Sequence, residues 1–140
     1  MPQVIKKSEI EQYIGHVCEP TDWFEVTQEQ VNEFAECTLD RQFIHIDPEA
    51  AAKTPFGGTI AHGFLTLSLL SKLVEGNGII PENTVMGLNY GFDKVRFLAP
   101  VRSGKRVRAH IEVADVTTKD GSRFLIKQSV SIEIEGEETP

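Results

Sequence analysis

The chain has 140 residues, 40% of them hydrophobic and 25% charged, with a formal net charge of -7 at pH 7. That is the length of one domain, enough to bury a core without disulfides or structural metals, and the acidic balance argues against a nucleic-acid footprint. The two cysteines, Cys18 and Cys37, have no CxxC or other metal spacing and read as reduced thiols.

The N-terminal stretch MPQVIKKSEIEQ lacks the apolar core of a signal peptide. No apolar run approaches the about 20 residues of a membrane-spanning helix. The expectation is a single domain over residues 1–140 in the cytoplasm, with no membrane or nucleic-acid partner. The first seven residues are expected to be loose and the acidic tail Glu135–Pro140 frayed.

In chain order, residues 8–14 (SEIEQYI) read as a short helix, with Ser8 as N-cap and Glu11 at the capping-box position. Residues 22–26 read as a short strand. Thr27 opens a clearer helix through a T-x-x-Q box, with Val31, Phe34 and Ala35 on one face and an end near Cys37–Thr38. Asp40 then falls on a loop. Asp47 and Pro48 are suited to cap and open another short helix, which Pro55-Phe56-Gly57-Gly58 breaks. Residues 61–75 (AHGFLTLSLLSKLVE) form the most apolar helix. Leu65, Leu69 and Leu73 make one stripe, and Phe64, Leu67, Leu70 and Val74 fill most of the rest, which predicts burial on all sides. After Pro81 the pattern alternates: strands are expected at Thr84–Tyr90, Lys94–Leu98, Arg102–Val116 and Ser122–Glu135, with a hairpin turn at Lys119–Ser122. Helices followed by strands give the α+β class.

Candidate chemistry is concentrated between Asp40 and Gly63. Asp40 and His45 lie five residues apart on a segment rich in turn formers, so a carboxylate and an imidazole can converge on one small molecule as an acid–base pair. The plainer alternative is that Asp40 caps a turn and His45 packs. Ala61-His62-Gly63 opens the apolar helix, where backbone amides lack intrahelical acceptors. A glycine there lets a carbonyl oxygen approach such an amide. Close packing of Gly63 and a satisfied buried His62 are the plainer alternatives. His45, Asp47 and His62 do not make a recognised metal motif, since no HExxH or Cys/His cluster accompanies them. Ser68 and Ser71 lie within the helix with no G-x-S-x-G elbow, so a polar contact from Ser71 or Ser68 suits them better than nucleophilic attack.

The stretch FAECTLDRQFIHIDPEAAAKTPFGGTIAHGFLTLSLL, Phe34 to Leu70, resembles the MaoC-like (R)-specific enoyl-CoA hydratases, and within them the nodulation protein N-like branch. NYGFDKVRFLAPVRSG, Asn89 to Gly104, resembles the same family's central strand and turn. The family pattern D-x-N-P-x-H-x-D is met at Asp40, His45 and Asp47, while Gln42 and Phe43 replace its Asn and Pro. The resemblance implies a hot-dog fold, in which an antiparallel sheet wraps a long helix. It also implies a homodimer, or a larger assembly, with active sites at the subunit interface.

The implied reaction is reversible syn addition of water to a trans-2-enoyl thioester of coenzyme A or acyl carrier protein, giving an (R)-3-hydroxyacyl thioester. No cofactor is consumed. Asp40 and His45 would hold the water and move protons, and the Gly63 amide would polarise the thioester carbonyl. Phe43, His62, Ser71 and Arg96 are the substrate-contact candidates. Lys94, Arg102, Lys105 and Arg106 join Arg96 as cations for the carrier's phosphates. The same fold hosts thioesterases, which usually lack this D-x4-H and A-H-G arrangement. A non-catalytic thioester-binding module is the other alternative.

Overall fold

The computed structural model describes residues 2–140. Two long strands dominate it, β4 (Arg106–Asp120) and β5 (Arg123–Ile134), paired antiparallel from Val107↔Ile134 to Asp120↔Arg123. On the other edge of β4 lies β2 (Phe24–Glu25), in register Phe24↔Val107. Residues 15–21 continue along that edge through Gly15 N–H to Val113 O, Cys18 N–H to Ile111 O and Thr21 N–H to Ala109 O. A second, parallel pair joins β1 (Gln3–Ile5) to β3 (Ile79–Pro81). The first residues are therefore tied down, contrary to the expectation of a loose end. The alternation of QVI is too short to announce a strand whose partner lies 76 residues away.

Strict alternation puts Val107, Ala109, Ile111 and Val113 of β4 on the buried face. A register shift between Val113 and Asp115 then makes Ala114 the extra residue, and Val116 is the next to face inward. The bulge divides the interior. On one side Leu65, Leu69 and Leu73 pack with Val107, Ala109, Ile111 and Ile134. On the other, Ile5, Ile10 and Ile79 pack with Val113 and Val116. Each leucine of the helical stripe contributes about 1.5–3 kcal/mol by leaving water.

The apolar helix is present in two pieces, α4 (Gly63–Ser68) and α5 (Leu70–Asn77), with Leu69 still right-handed at φ -67° and ψ -16° between them. Its expected burial on all sides is not met within the chain. The Leu65–Leu69–Leu73 stripe is buried, Leu67, Leu70 and Val74 are half-buried, and Phe64 is exposed. The sheet covers one face, and a helix offers one face to one sheet.

Two further expectations are corrected. Thr84–Tyr90 and Lys94–Leu98 form no strand; the segment lies on the surface, with Val85 90% and Leu88 83% exposed. Alternation tells which way a side chain would point in a strand, but a strand also needs ladder hydrogen bonds to a neighbour, and this segment makes none among the described residues, although β5 has only β4 beside it. Residues Lys7–Tyr13 wind as a 3-10 helix with Lys6 at its N-cap position and no side-chain cap, so Ser8 does not cap it. In contrast, the T-x-x-Q start is as read: Thr27 Oγ1 accepts the Gln30 amide at 3.1 Å and opens α1 (Gln28–Thr38). At the other end, Glu135 takes two hydrogen bonds from Arg106, and the Glu137 amide donates to Ile134 O.

Candidate active site

Asp40 is delivered by the end of α1. Leu39 closes that helix in the left-handed region, at φ 66° and ψ 12°, a conformation that costs a leucine about 1–2 kcal/mol. The turn reverses the chain and sets the Asp40 backbone facing α4. The carboxylate itself has one long local contact, Oδ1 accepting the Gln42 amide at 3.4 Å.

His45 does not sit on an extended loop. Residues Phe43–Ile46 make a single helical turn, α2, which is followed directly by α3 (Pro48–Ala51). Asp47 caps α3 by accepting the Ala50 amide at 3.1 Å, and Pro48 stands at its first position. Asp47 is thus held by a structural task. Phe43, at the first position of α2, is exposed.

The α2 turn is held from two sides. Residues 59–61 cross beside it: the Ile60 amide donates to Ile44 O at 2.9 Å, the Ala61 amide to Val101 O at 2.7 Å, and Ile60 pairs with Arg102 in an isolated bridge. From α1, Gln28 Nε2 donates to His45 O at 2.8 Å, and Gln28 Oε1 accepts from Thr59 Oγ1. Gln28 and Thr59 were not legible as site residues, because they touch the backbone of His45 and each other rather than any motif.

His45 is 6% exposed and its Nδ1 lies 2.7 Å from Ile60 O. A carbonyl oxygen only accepts, so Nδ1 carries the proton and the lone pair is left on Nε2. His62 is 3% exposed, with its Nε2 2.9 Å from the backbone oxygen of Asp40. By the same reasoning its proton is on Nε2; its Nδ1 is buried and unbonded among the described residues. The two rings stack with centroids 3.8 Å apart and planes 24° from parallel. Phe34 packs against the His62 ring at 4.9 Å.

One carboxylate oxygen of Asp40 and one nitrogen of each histidine lie within 4.8 Å of one another. A cation bound in the plane of both rings would need those planes to meet near them, and stacked rings do not provide that. The arrangement suits proton movement beside a carboxylate better than metal ligation.

Gly63 takes the first position of α4, where its amide has no carbonyl one turn back to donate to. A Cβ at this position would lie 3.1 Å from Cδ1 and Cε1 of Phe97. The Phe97 ring also meets Phe64 edge-on at 5.9 Å. Ser71 lies on the exposed face of α5, about 12 Å along the helix from Gly63 at 1.5 Å per residue. Arg96 is exposed and donates to the neighbouring Val95 O. The structure therefore brings Asp40, His45 and His62 together, with Gly63 next to His62. It joins Ser71 and Arg96 to them through no contact.

No helix is long and apolar enough to cross a membrane among the described residues.

Residues 9–134 match the family model described as "MaoC like domain". The chain is 44% identical over 138 residues to nodulation protein N of Rhizobium meliloti, covering 97% of this chain and 85% of that one. It is 45% identical over 120 residues to 3-hydroxyacyl-thioester dehydratase Z of Mycobacterium tuberculosis, covering 86% and 79%. Among solved structures it is similar to an (R)-hydratase from A. caviae involved in PHA biosynthesis, with a TM-score of 0.67, 26% identity and coverage of 88% and 86%. The helix stripe and antiparallel sheet agree with these likenesses, and the chain belongs to the MaoC-like domain family, with its α+β hot-dog fold.

Proposed function

We propose that this protein is a hydro-lyase that adds water reversibly to a trans-2-enoyl thioester and forms the (R)-3-hydroxyacyl thioester. The reaction class is supported by family membership and by relatives named as a 3-hydroxyacyl-thioester dehydratase, a 3-hydroxybutyryl-CoA dehydratase and an (R)-hydratase. The observation that carries the mechanism is the hydrogen bond from His45 Nδ1 to Ile60 O. It leaves one nitrogen, Nε2, to exchange protons with a substrate.

A water bound by the Asp40 carboxylate gives a proton to His45 Nε2 as its oxygen bonds to C3. The C2–C3 π pair moves toward the thioester carbonyl, forming an enolate whose oxygen faces the Gly63 amide. The pair then returns to C2, which takes the proton back from Nε2, and the imidazole is neutral again. Because one nitrogen both receives and returns the proton, hydrogen and hydroxyl enter on one face. No cofactor enters this scheme; coenzyme A or acyl carrier protein is the substrate's carrier. In this reading Phe43 meets the acyl chain, Ser71 makes a polar substrate contact, and Arg96 meets the carrier's phosphates.

The assembly is read as a homodimer. In support, the surface segment 84–98 exposes Val85, Met86, Leu88, Tyr90, Phe92, Phe97 and Leu98, and clustered large apolar side chains of this kind mark interaction surfaces. It adjoins the site through Phe97 and Gly63. A second copy covering it would also cover Phe64.

Chiral analysis of the product formed from a trans-2-enoyl-CoA tests the proposal. The (R)-3-hydroxyacyl thioester is expected; the (S) product, or a free acid released by thioester cleavage, would contradict it.

A further inference from the structure

His62 is enclosed between the His45 and Phe34 rings, yet its side chain is not spent on local structure. It occupies the N-cap position of α4 without making a side-chain cap. Its Nε2–H instead donates to the backbone oxygen of Asp40, 22 residues away. Its ring lies flat on His45, and Phe34 packs against it. One side chain therefore touches both members of the pair, and neither contact uses the groups the pair needs for chemistry. The Asp40 carboxylate and His45 Nε2 are left free.

From this juxtaposition we infer that His62 is a positioning residue: its Nε2–H anchors the Asp40 backbone while its ring supports His45, fixing the distance from carboxylate to imidazole. The inference rests on the reading of Asp40 and His45 as the acid–base pair. It replaces the expectation that His62 touches substrate. Asp40 needs such an anchor, because its carboxylate has only the long contact to the Gln42 amide and its backbone follows a left-handed leucine.

Three substitutions separate the hydrogen bond from the ring. The amide nitrogen of glutamine can reach the place of Nε2; that of asparagine reaches only the place of Nδ1; phenylalanine keeps a ring without a donor. In steady-state assays on a trans-2-enoyl-CoA, His62→Phe and His62→Asn are expected to lower kcat on the order of 100-fold with KM little changed. His62→Gln is expected to recover part of the loss, because it restores the donor and not the ring. Wild-type kcat in His62→Phe, or a change confined to KM in all three, would overturn the inference. The 15N shifts of His62 in the unaltered protein provide a test that needs no variant to fold. A proton on Nε2 and a bare Nδ1 are expected, and the opposite tautomer would overturn the contact itself. Asp40→Asn in the same assay separates this inference from the function beneath it. Loss of turnover there upholds the pair, whereas full turnover would overturn both.

Discussion

His45 and His62 stack at 3.8 Å, and each ring donates one N–H to a backbone carbonyl from a different part of the chain, Ile60 O for the first and Asp40 O for the second. Backbone oxygens do not titrate or rotate away. The tautomers and ring planes are therefore set by the fold before any substrate arrives, and the cost of ordering them is met during folding.

Gln28 is the first place to test that idea outside the motif. It bridges His45 O and Thr59 Oγ1, and Thr59 Oγ1 is also 3.0 Å from Ser103 Oγ. Gln28→Leu removes the side-chain donor to His45 O and one of the two partners of Thr59 Oγ1, which keeps Ser103 Oγ, and should cost about 1–3 kcal/mol of stability. It should also lower kcat, because α2 loses its hold on α1. Urea unfolding and turnover measured on the same preparation check both effects; wild-type stability would mean that the bridge contributes nothing.

Leu39 holds a conformation that asparagine or glycine adopts at less cost. Leu39→Asn should therefore raise stability by about 1 kcal/mol, and its exposed side chain leaves no cavity behind. The reading is a shift in thermal midpoint; a fall would show that Leu39 is held there by packing.

Gly63 admits no Cβ without movement of Phe97. Gly63→Ala should lower both turnover and thermal midpoint. Phe97→Leu placed in that background should restore part of the midpoint, as expected for residues in contact. Strict additivity of the two changes would count against the contact.

Glu133 accepts hydrogen bonds from Arg108 Nε and His110 Nε2, both at 2.6 Å, and these hold its carboxyl below the ordinary value of 4.5. A carboxylate depressed on folding contributes stability above its unfolded value, and that contribution is lost as pH falls through the folded one. The exposed setting keeps the effect small. Glu133→Gln should thus lower the unfolding midpoint near neutral pH and flatten its decline below 4.5. Parallel midpoint curves for variant and wild type would remove Glu133 from the acid response.

How far the sequence carried differs by kind of contact. Asp40, His45 and the Ala61-His62-Gly63 helix start were legible because they lie in one continuous stretch with recognisable spacing. The Thr27 and Asp47 caps were legible because capping is local. The strands β4 and β5 followed from alternation, although whether Ala114 or Val116 faces inward depended on a bulge that only pairing defines. The anchors of the site were not legible. The Asp40 carbonyl, the Ile60 carbonyl and the Gln28 amide act through backbone groups and across 15 to 22 residues, and composition holds no trace of them. The segment 84–98 shows the converse limit, since its alternation suggested strands and the segment pairs with no neighbour among the described residues, even though one edge of β5 is unpaired there.

The measurement closest to the central claim is the loss of enoyl-thioester absorbance when purified protein is mixed with short and medium trans-2-enoyl-CoA, beside Asp40→Asn and His45→Ala. The account expects loss with the wild type and most turnover removed in each variant, with both variants still folded. Undiminished turnover in both variants would contradict the assignment of the pair, and no loss with the wild type on either coenzyme A or acyl-carrier-protein thioesters would contradict the hydratase reading itself.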